Sequence, residues 1–573
     1  MTATFLRFLF LCCLVWQSAA AQQEPARLLH QLLEQDQAFQ KQEFFAPGRS
    51  FPAIAPADQK RRADYYRQEL AQLQAIDPAQ LERSDRITYE LFRFVLEDRI
   101  AEIEFEAYLV PLNAEGGWFT DFWLSASDQR LDSEEACHNY LARLAGFRAW
   151  AAQNIELMET GLAKGRTAPY DILRGREGIV DALIVEQAEE SPFYRPLERL
   201  PETIPAATRD SLRSAGRWAI MQSVVPGYRA FREFWTQRYL PGAARLPGIA
   251  AQPGGRAYYE QRVRYFTTLP MSAEEVFEIG QREVARIRAE MEVIIRQAGF
   301  EGSFAEFLHF LRTDPQFYAA TPRDLLREAS YFSKKIDGKL PEYFGRLPRN
   351  PYGVEPVPEV LAPTYTSGRY SPGSPEKNRA GFYWVNTFNL PARPLYALPA
   401  LTLHEAVPGH HLQISLAQEL AGLPAFRRNT YLSAFGEGWA LYCEWLGQEM
   451  GIYETPYEQF GRLTYEMWRA CRLVVDPGLH VMGWTREQAI EFMAAHTALS
   501  LHECTTEIDR YIGWPGQAVS YKIGELKIRE LRQRAEQALG SRFDLRAFHD
   551  LVLSQGAVPL FVLEEMVLEW VDR

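Results

Sequence analysis

Cysteine is scarce in this chain, with six in 573 residues. Cys12 and Cys13 fall in the first stretch of the sequence, and only Cys137, Cys443, Cys471 and Cys504 remain beyond it. An oxidising compartment permits these four to pair, with a connectivity the sequence does not show, and four buried thiols in a large apolar core is the alternative reading. Uninterrupted apolar runs of about 18 residues are also missing after the N-terminus, which leaves no candidate for a membrane-spanning helix. Excess positive charge is absent as well: the formal charge is −12, with 62 Lys and Arg against 74 Asp and Glu. Nucleic acid and anionic membrane surfaces are thereby excluded as main partners, since both require clustered cations. Neither a fixed-period repeat nor a low-complexity block is present, so solenoid and linker architectures drop out.

What is there is a chain with 47% hydrophobic and 24% charged residues, enough to bury a large core. It opens on Arg7, an apolar stretch from Phe8 to Trp16, and Ala19-Ala20-Ala21. That order of features is a secretory signal cleaved after Ala21, and the residues before Cys12 do not form a good lipoprotein-processing site. The mature protein is expected to be exported, either periplasmic or secreted. Beyond it, apolar residues recur at helical spacing, most clearly from Ala273 to Ala298, where Ser272 and Glu275 form a capping-box pattern. Between Leu340 and Pro399 the texture changes to recurrent Pro and Gly, followed by a strand pattern over Ala380 to Leu390. The expected organisation is mainly α: a leader over 1–21, a helical N-terminal lobe over 22–345 and a catalytic lobe over 346–573.

Three of the ten histidines fall within eight positions, in His404-Glu405-Ala406-Val407-Pro408-Gly409-His410-His411. In a metallopeptidase helix two histidines four apart share one face and bind zinc, with the Glu after the first acting as base. Here Pro408 occupies the fourth position. A regular helix turns His410 about 240° from His404 and sets His411 roughly 10 Å along the axis, so neither shares a zinc with His404 undistorted. Pro408 and Gly409 permit a distortion: one or two extra residues bring His410 to the second ligand position, and three bring His411 there. A third ligand is expected downstream. Glu437 and Glu444 lie two turns apart on one face of an otherwise apolar helix, where a carboxylate is costly unless paired or metal-bound. Glu437 is the candidate ligand, and Glu444 the candidate partner orienting a ligand histidine. Asp476 and His480 lie four apart at an expected turn before Trp484, where His480 either meets a substrate carbonyl or orients a ligand, or is a satisfied structural histidine.

Four ordered segments carry a resemblance: HEAVPGHHLQ over 404–413, EGWALYCE over 437–444, RLVVDPGLH over 472–480 and RYIGWPGQAVSYKIGELKI over 510–528. Together they resemble the bacterial domain of unknown function 885, a family grouped with the zincin-like metallopeptidases and similar to helical gluzincins such as the thimet-type oligopeptidases and angiotensin-converting enzyme. The resemblance implies a two-lobed helical zincin-like fold with a deep central cleft and a small sheet beside the active-site helix. It implies one catalytic zinc ion on His404, His410 and Glu437, with Glu405 as general base and short peptides as substrate. It further implies a late tyrosine as oxyanion donor, for which Tyr521 and then Tyr511 are the candidates. Arg510, Lys522 and Arg529 are candidates to hold a substrate carboxylate. The strand over Ala380 to Leu390 would be an edge strand pairing with extended peptide, with Tyr383, Trp384 and Phe388 lining subsites. Two other functions share these residues: a zinc amidohydrolase or esterase acting on a non-peptide substrate, and a catalytically silent peptide-binding protein.

Overall fold

A computed structural model describes residues 24–44, 50–127, 129–359 and 361–573. The leader read over 1–21 lies outside the described residues. The described chain is mainly helical with one three-stranded sheet, and none of its helices is long and apolar enough to cross a membrane. It divides into two compact units, Met1–Gly255 and Arg256–Arg573. The Pro- and Gly-rich passage beginning near residue 340 thus lies inside the second unit, where it builds the sheet and its loops.

The first unit is built on long helices, among them Arg83–Glu104 and Glu134–Ala163, the latter opened by Ser133 accepting the Ala136 N–H. Its core is aromatic. Phe119, Phe122, Phe147, Tyr228 and Phe231 are buried, and Phe122 stacks on Phe147 with ring centroids 4.5 Å apart. None of the residues singled out for chemistry lies in this unit.

In the second unit, α1 (Ala273–Gln297) begins on the expected capping box: Ser272 accepts from the Glu275 amide and the Glu275 carboxylate accepts from the Ser272 amide. Strands β1 (Tyr352–Pro356), β2 (Gly368–Ser371) and β3 (Gly381–Val385) form a sheet in the order β1-β3-β2. β3 pairs parallel with β1 and antiparallel with β2, with Tyr383 opposite Val354 and Tyr370. This corrects the edge-strand assignment. β3 has a neighbour on each side, Tyr383 is fully buried, and the edge beside the site is β2. The strand is also shorter than its sequence pattern, because the Asn386 side chain donates to the carbonyls of Ala362, Tyr365 and Thr366 and turns the chain away.

The rest of the unit is mostly helical, and the helices that bear on the site are α2 (Leu398–Glu405), α3 (His410–Gln418), α4 (Ser433–Leu446), α5 (Pro456–His480), α6 (Leu501–Gly513) and α7 (Ser520–Leu539). α5 packs along α1, where Gly280 leaves room for Leu473 and Val474. It runs through Pro477 to His480, so Asp476 and His480 lie in its last turns and not at a bend. α4 and α7 meet at Gly438 and Gly524: a Cβ on Gly438 would stand 2.5 Å from the Gly524 Cα, and one on Gly524 2.0 Å from the Ala434 carbonyl oxygen. The Ser433 and Ser520 hydroxyls, 2.7 Å apart, tie the starts of the same two helices together.

Candidate metal centre

Every residue of α2 is buried, so His404 and Glu405 at its end stand inside the protein. The helix stops there. Ala406 leaves helical geometry at φ −89°, ψ −111°, the Val407–Pro408 peptide is cis, and α3 begins at His410. Gly409 sits against the end of α2 so closely that a Cβ would lie 1.9 Å from the His404 carbonyl oxygen. The Trp439 indole donates to the Pro408 carbonyl at 2.9 Å and holds the turn from the α4 side. The distortion expected at Pro408-Gly409 is therefore a complete break between two helices, and it folds His410 back beside His404. Their rings are 4.8 Å apart and nearly perpendicular.

His410, and not His411, joins the cluster. Nε2 of His404 is 3.4 Å and Nε2 of His410 is 3.5 Å from Oε2 of Glu437. A tetrahedral ion with bonds of about 2.0–2.1 Å sets its ligand atoms roughly 3.3 Å apart, so the three donors suit a zinc-sized cation. Among the described residues this is the group of three whose ligand atoms all lie within 4.8 Å of one another. Nδ1 of His404 meets Oε1 of Glu444 at 2.7 Å, the contact that fixes a ligand imidazole's tautomer and orientation. Burial opposes charge on His404, but Glu437 and Glu444 on its two nitrogens outweigh it and raise its pKa to about 9. Burial likewise opposes charge on Glu437, yet the two imidazoles hold its carboxyl well below the usual range. His411 turns away, its Nδ1 2.9 Å from the Tyr370 hydroxyl and its ring 4.6 Å from that of Tyr352. Burial lowers its pKa to about 4, so it is neutral at physiological pH.

β2 lies against this centre. The Tyr370 amide donates to Oε2 of Glu405 at 2.7 Å, anchoring the candidate base to the sheet. Tyr521, at the start of α7, is half-buried with the Arg472 guanidinium 4.3 Å from its ring centroid. Enclosure and the Glu437 carboxylate hold its phenol above the ordinary range, which keeps it a donor at neutral pH. Tyr511 is spent elsewhere: its hydroxyl donates to Glu507 and accepts from Trp468 and Arg472, and it is fully buried.

The other expected substrate contacts are structural. His480 is 1% exposed and meets the Tyr511 carbonyl at 3.0 Å, while Asp476 accepts from Tyr259 and from the Gly516 amide. Together they fix the Pro515-Gly516 turn that leads into Tyr521. Lys522 is fully buried among Glu283, Glu466 and Glu525. Arg529 pairs with Glu525 beside the Trp445 ring, and Arg510 with Glu507 and Gln517. None of these cations is left free for substrate.

Three contacts were not legible beforehand: the Tyr370 amide on Glu405, the Trp439 indole on Pro408, and the Tyr431 hydroxyl, which donates to Oε1 of Glu437 at 2.8 Å. Each depends on a backbone position or a loop conformation that residue types and spacing do not encode.

The crystal structure of the "putative lipoprotein" from Colwellia psychrerythraea is similar over 96% of this chain and 99% of its own, with 29% identity and a TM-score of 0.85. A "putative lipoprotein of unknown function" from Shewanella oneidensis shares the fold at 19% identity and a TM-score of 0.66, over 91% of this chain and 94% of its own. No curated protein matches the chain. The model of the bacterial proteins of unknown function called DUF885 matches residues 47–567, and the chain belongs to that family.

Proposed function

We propose that the protein is an exported zinc metallopeptidase acting on short peptides. The observation that carries this reading is the convergence of His404 Nε2, His410 Nε2 and Glu437 Oε2, beside a buried carboxylate on Glu405. Two imidazoles and one carboxylate form the donor set of a catalytic site that keeps a position open for water, whereas structural zinc sites are closed by four protein ligands. Zinc there would lower the pKa of a water and polarise a scissile carbonyl.

The remaining steps belong to the chain. With Oε2 of Glu405 engaged by the Tyr370 amide, Oε1 is left to take a proton from the attacking water and return it to the leaving amine. The Tyr521 hydroxyl is the donor for the oxyanion, a role worth about 3–4 kcal/mol for a well-placed group. Glu444 keeps the His404 ring in its ligating orientation. Export is supported by the leader pattern over 1–21 and by the structural neighbours described as lipoproteins.

The test is metal analysis paired with hydrolysis of a mixed short-peptide library. The wild type is expected to carry about one zinc per chain, lost in His404→Ala, His410→Ala and Glu437→Ala and kept in His411→Ala. Glu405→Gln is expected to keep the metal and lose hydrolysis by at least a hundredfold. Full activity in Glu405→Gln, or a wild type that takes up no metal, overturns the reading.

A further inference from the structure

Glu437 has two carboxylate oxygens, and the structure treats them differently. Oε2 faces the two ligand histidines, at 3.4 and 3.5 Å from their Nε2 atoms. Oε1 accepts the Tyr431 hydroxyl at 2.8 Å. Tyr431 lies in the loop before α4, and its residue surface is 48% exposed, so its ring is not a core residue placed there by burial alone.

A second observation, in the helix itself, points the same way. Gly436, next to Glu437 in the first turns of α4, has no positive φ that would call for glycine. Glycine inside a helix costs roughly 1 kcal/mol relative to alanine. What its missing side chain provides is a seat for the tyrosine: a Cβ on Gly436 would stand 2.6 to 2.8 Å from the ring and hydroxyl of Tyr431. The close approach is what lets the phenol reach Oε1.

We infer that Tyr431, seated on Gly436, is a positioning residue that restricts Glu437 to one ligating oxygen and so keeps the fourth position of the metal centre open. The inference rests on the metal centre proposed above. A carboxylate binds a cation through one oxygen or both, and the second mode would add a fifth ligand atom that crowds the position water needs. The hydrogen bond from Tyr431 occupies Oε1 and points Oε2 at the imidazoles. Partners of this kind around metal ligands change affinity by about 10- to 100-fold when removed.

The experiment uses the full-length protein and two probes, zinc and cobalt(II). Zinc affinity is measured by competition with a chromophoric chelator, and coordination number by the visible absorption of the cobalt(II) form. Tyr431→Phe is expected to bind zinc at least tenfold more weakly and to lose cobalt band intensity, as a four-coordinate ion becomes five-coordinate. Gly436→Ala, which keeps the hydroxyl but displaces the ring, is expected to shift both readouts in the same direction, while both variants melt within a few degrees of the wild type. A zinc-binding wild type whose cobalt spectrum is unchanged in both variants, whatever their zinc affinity, overturns the role of Tyr431 alone. A wild type that binds neither ion overturns it together with the metal centre.

Discussion

Glu444 shows how much of the site depends on a residue that would never touch substrate. Its side chain is 3% exposed, with Oε1 2.7 Å from His404 Nδ1 and 3.5 Å from Arg469 Nη2, while its backbone carbonyl accepts the Tyr453 hydroxyl. Removing the carboxylate leaves a buried imidazole N–H unpaired and the ring free to turn, which costs both hydrogen-bond energy and ligand orientation. Glu444→Ala is therefore expected to weaken zinc binding by about 10- to 100-fold, and Glu444→Gln, which still accepts the N–H but lacks the charge, by less. Chelator competition on the two variants checks the order; equal loss in both would mean that charge alone matters. His411 is the internal control, because it lies one position from a candidate ligand yet faces Tyr370 and Tyr352. His411→Gln is expected to leave zinc affinity unchanged.

Between elements, the site is held together by glycine contacts. α4 carries Glu437 and Glu444, α7 carries Tyr521, and the helices approach closely because Gly438 and Gly524 face each other. A methyl at residue 524 would meet the Ala434 carbonyl oxygen at 2.0 Å, a backbone atom that cannot swing aside. Gly524→Ala is expected to destabilise the second unit by about 1–3 kcal/mol, as overpacking does, and to reduce turnover beyond the effect on zinc affinity, because it moves Tyr521 relative to Glu437. Urea titration and steady-state kinetics on the same variant separate the two. The helix ends themselves were readable: the Ser272–Glu275 capping box starts α1 where the pattern places it, and Glu437 and Glu444 share one face as their spacing requires. The sheet order was not, because a strand's alternation says nothing about how many neighbours it has. The buried cations were not readable either. Lys522, Arg510 and Arg529 look available to a substrate carboxylate in sequence, but their carboxylate partners come from other turns and other helices, such as Glu466 on α5 and Glu283 on α1.

For the whole molecule, the distribution of buried titratable groups sets how it responds to acid. Burial lowers the pKa of His411 and His480 to about 4 and of His549 to about 3, against about 6.5 in an unfolded chain. Above pH 6.5 neither folded nor unfolded forms carry protons on these rings, and their contribution to stability is fully present. As pH falls below 6.5 the unfolded chain takes up protons that the folded one does not, so stability drops progressively, and the loss is complete only near pH 4 to 3, where the folded forms titrate too. Glu507, held down to about 2 by Arg510 and Arg472 against its burial, adds a second loss between about 4.5 and 2. In the metal-free chain His404 acts in the opposite sense: its pKa is raised to about 9, so its stabilisation is present below 6.5 and is lost as pH rises through 9. The His404 effect lies in a different window, but Asp476 and Glu69, which burial raises to about 7 and about 8, keep protons in the folded state through the acid window and offset part of the histidine loss, so a single-site variant is needed to assign it. His549 is the variant to use, since its Nδ1 meets the Tyr343 carbonyl and its Nε2 the Tyr442 hydroxyl, a donor–acceptor pair that glutamine reproduces without titrating. Denaturant unfolding of the metal-free protein between pH 6.5 and 4 is expected to lose stability with pH in the wild type. In His549→Gln that slope should fall by up to one proton, about 1.4 kcal/mol per pH unit. An identical slope in both proteins would mean that His549 takes up its proton in the folded state as readily as in the unfolded one, and that its burial between Tyr442 and Tyr343 does not keep it neutral.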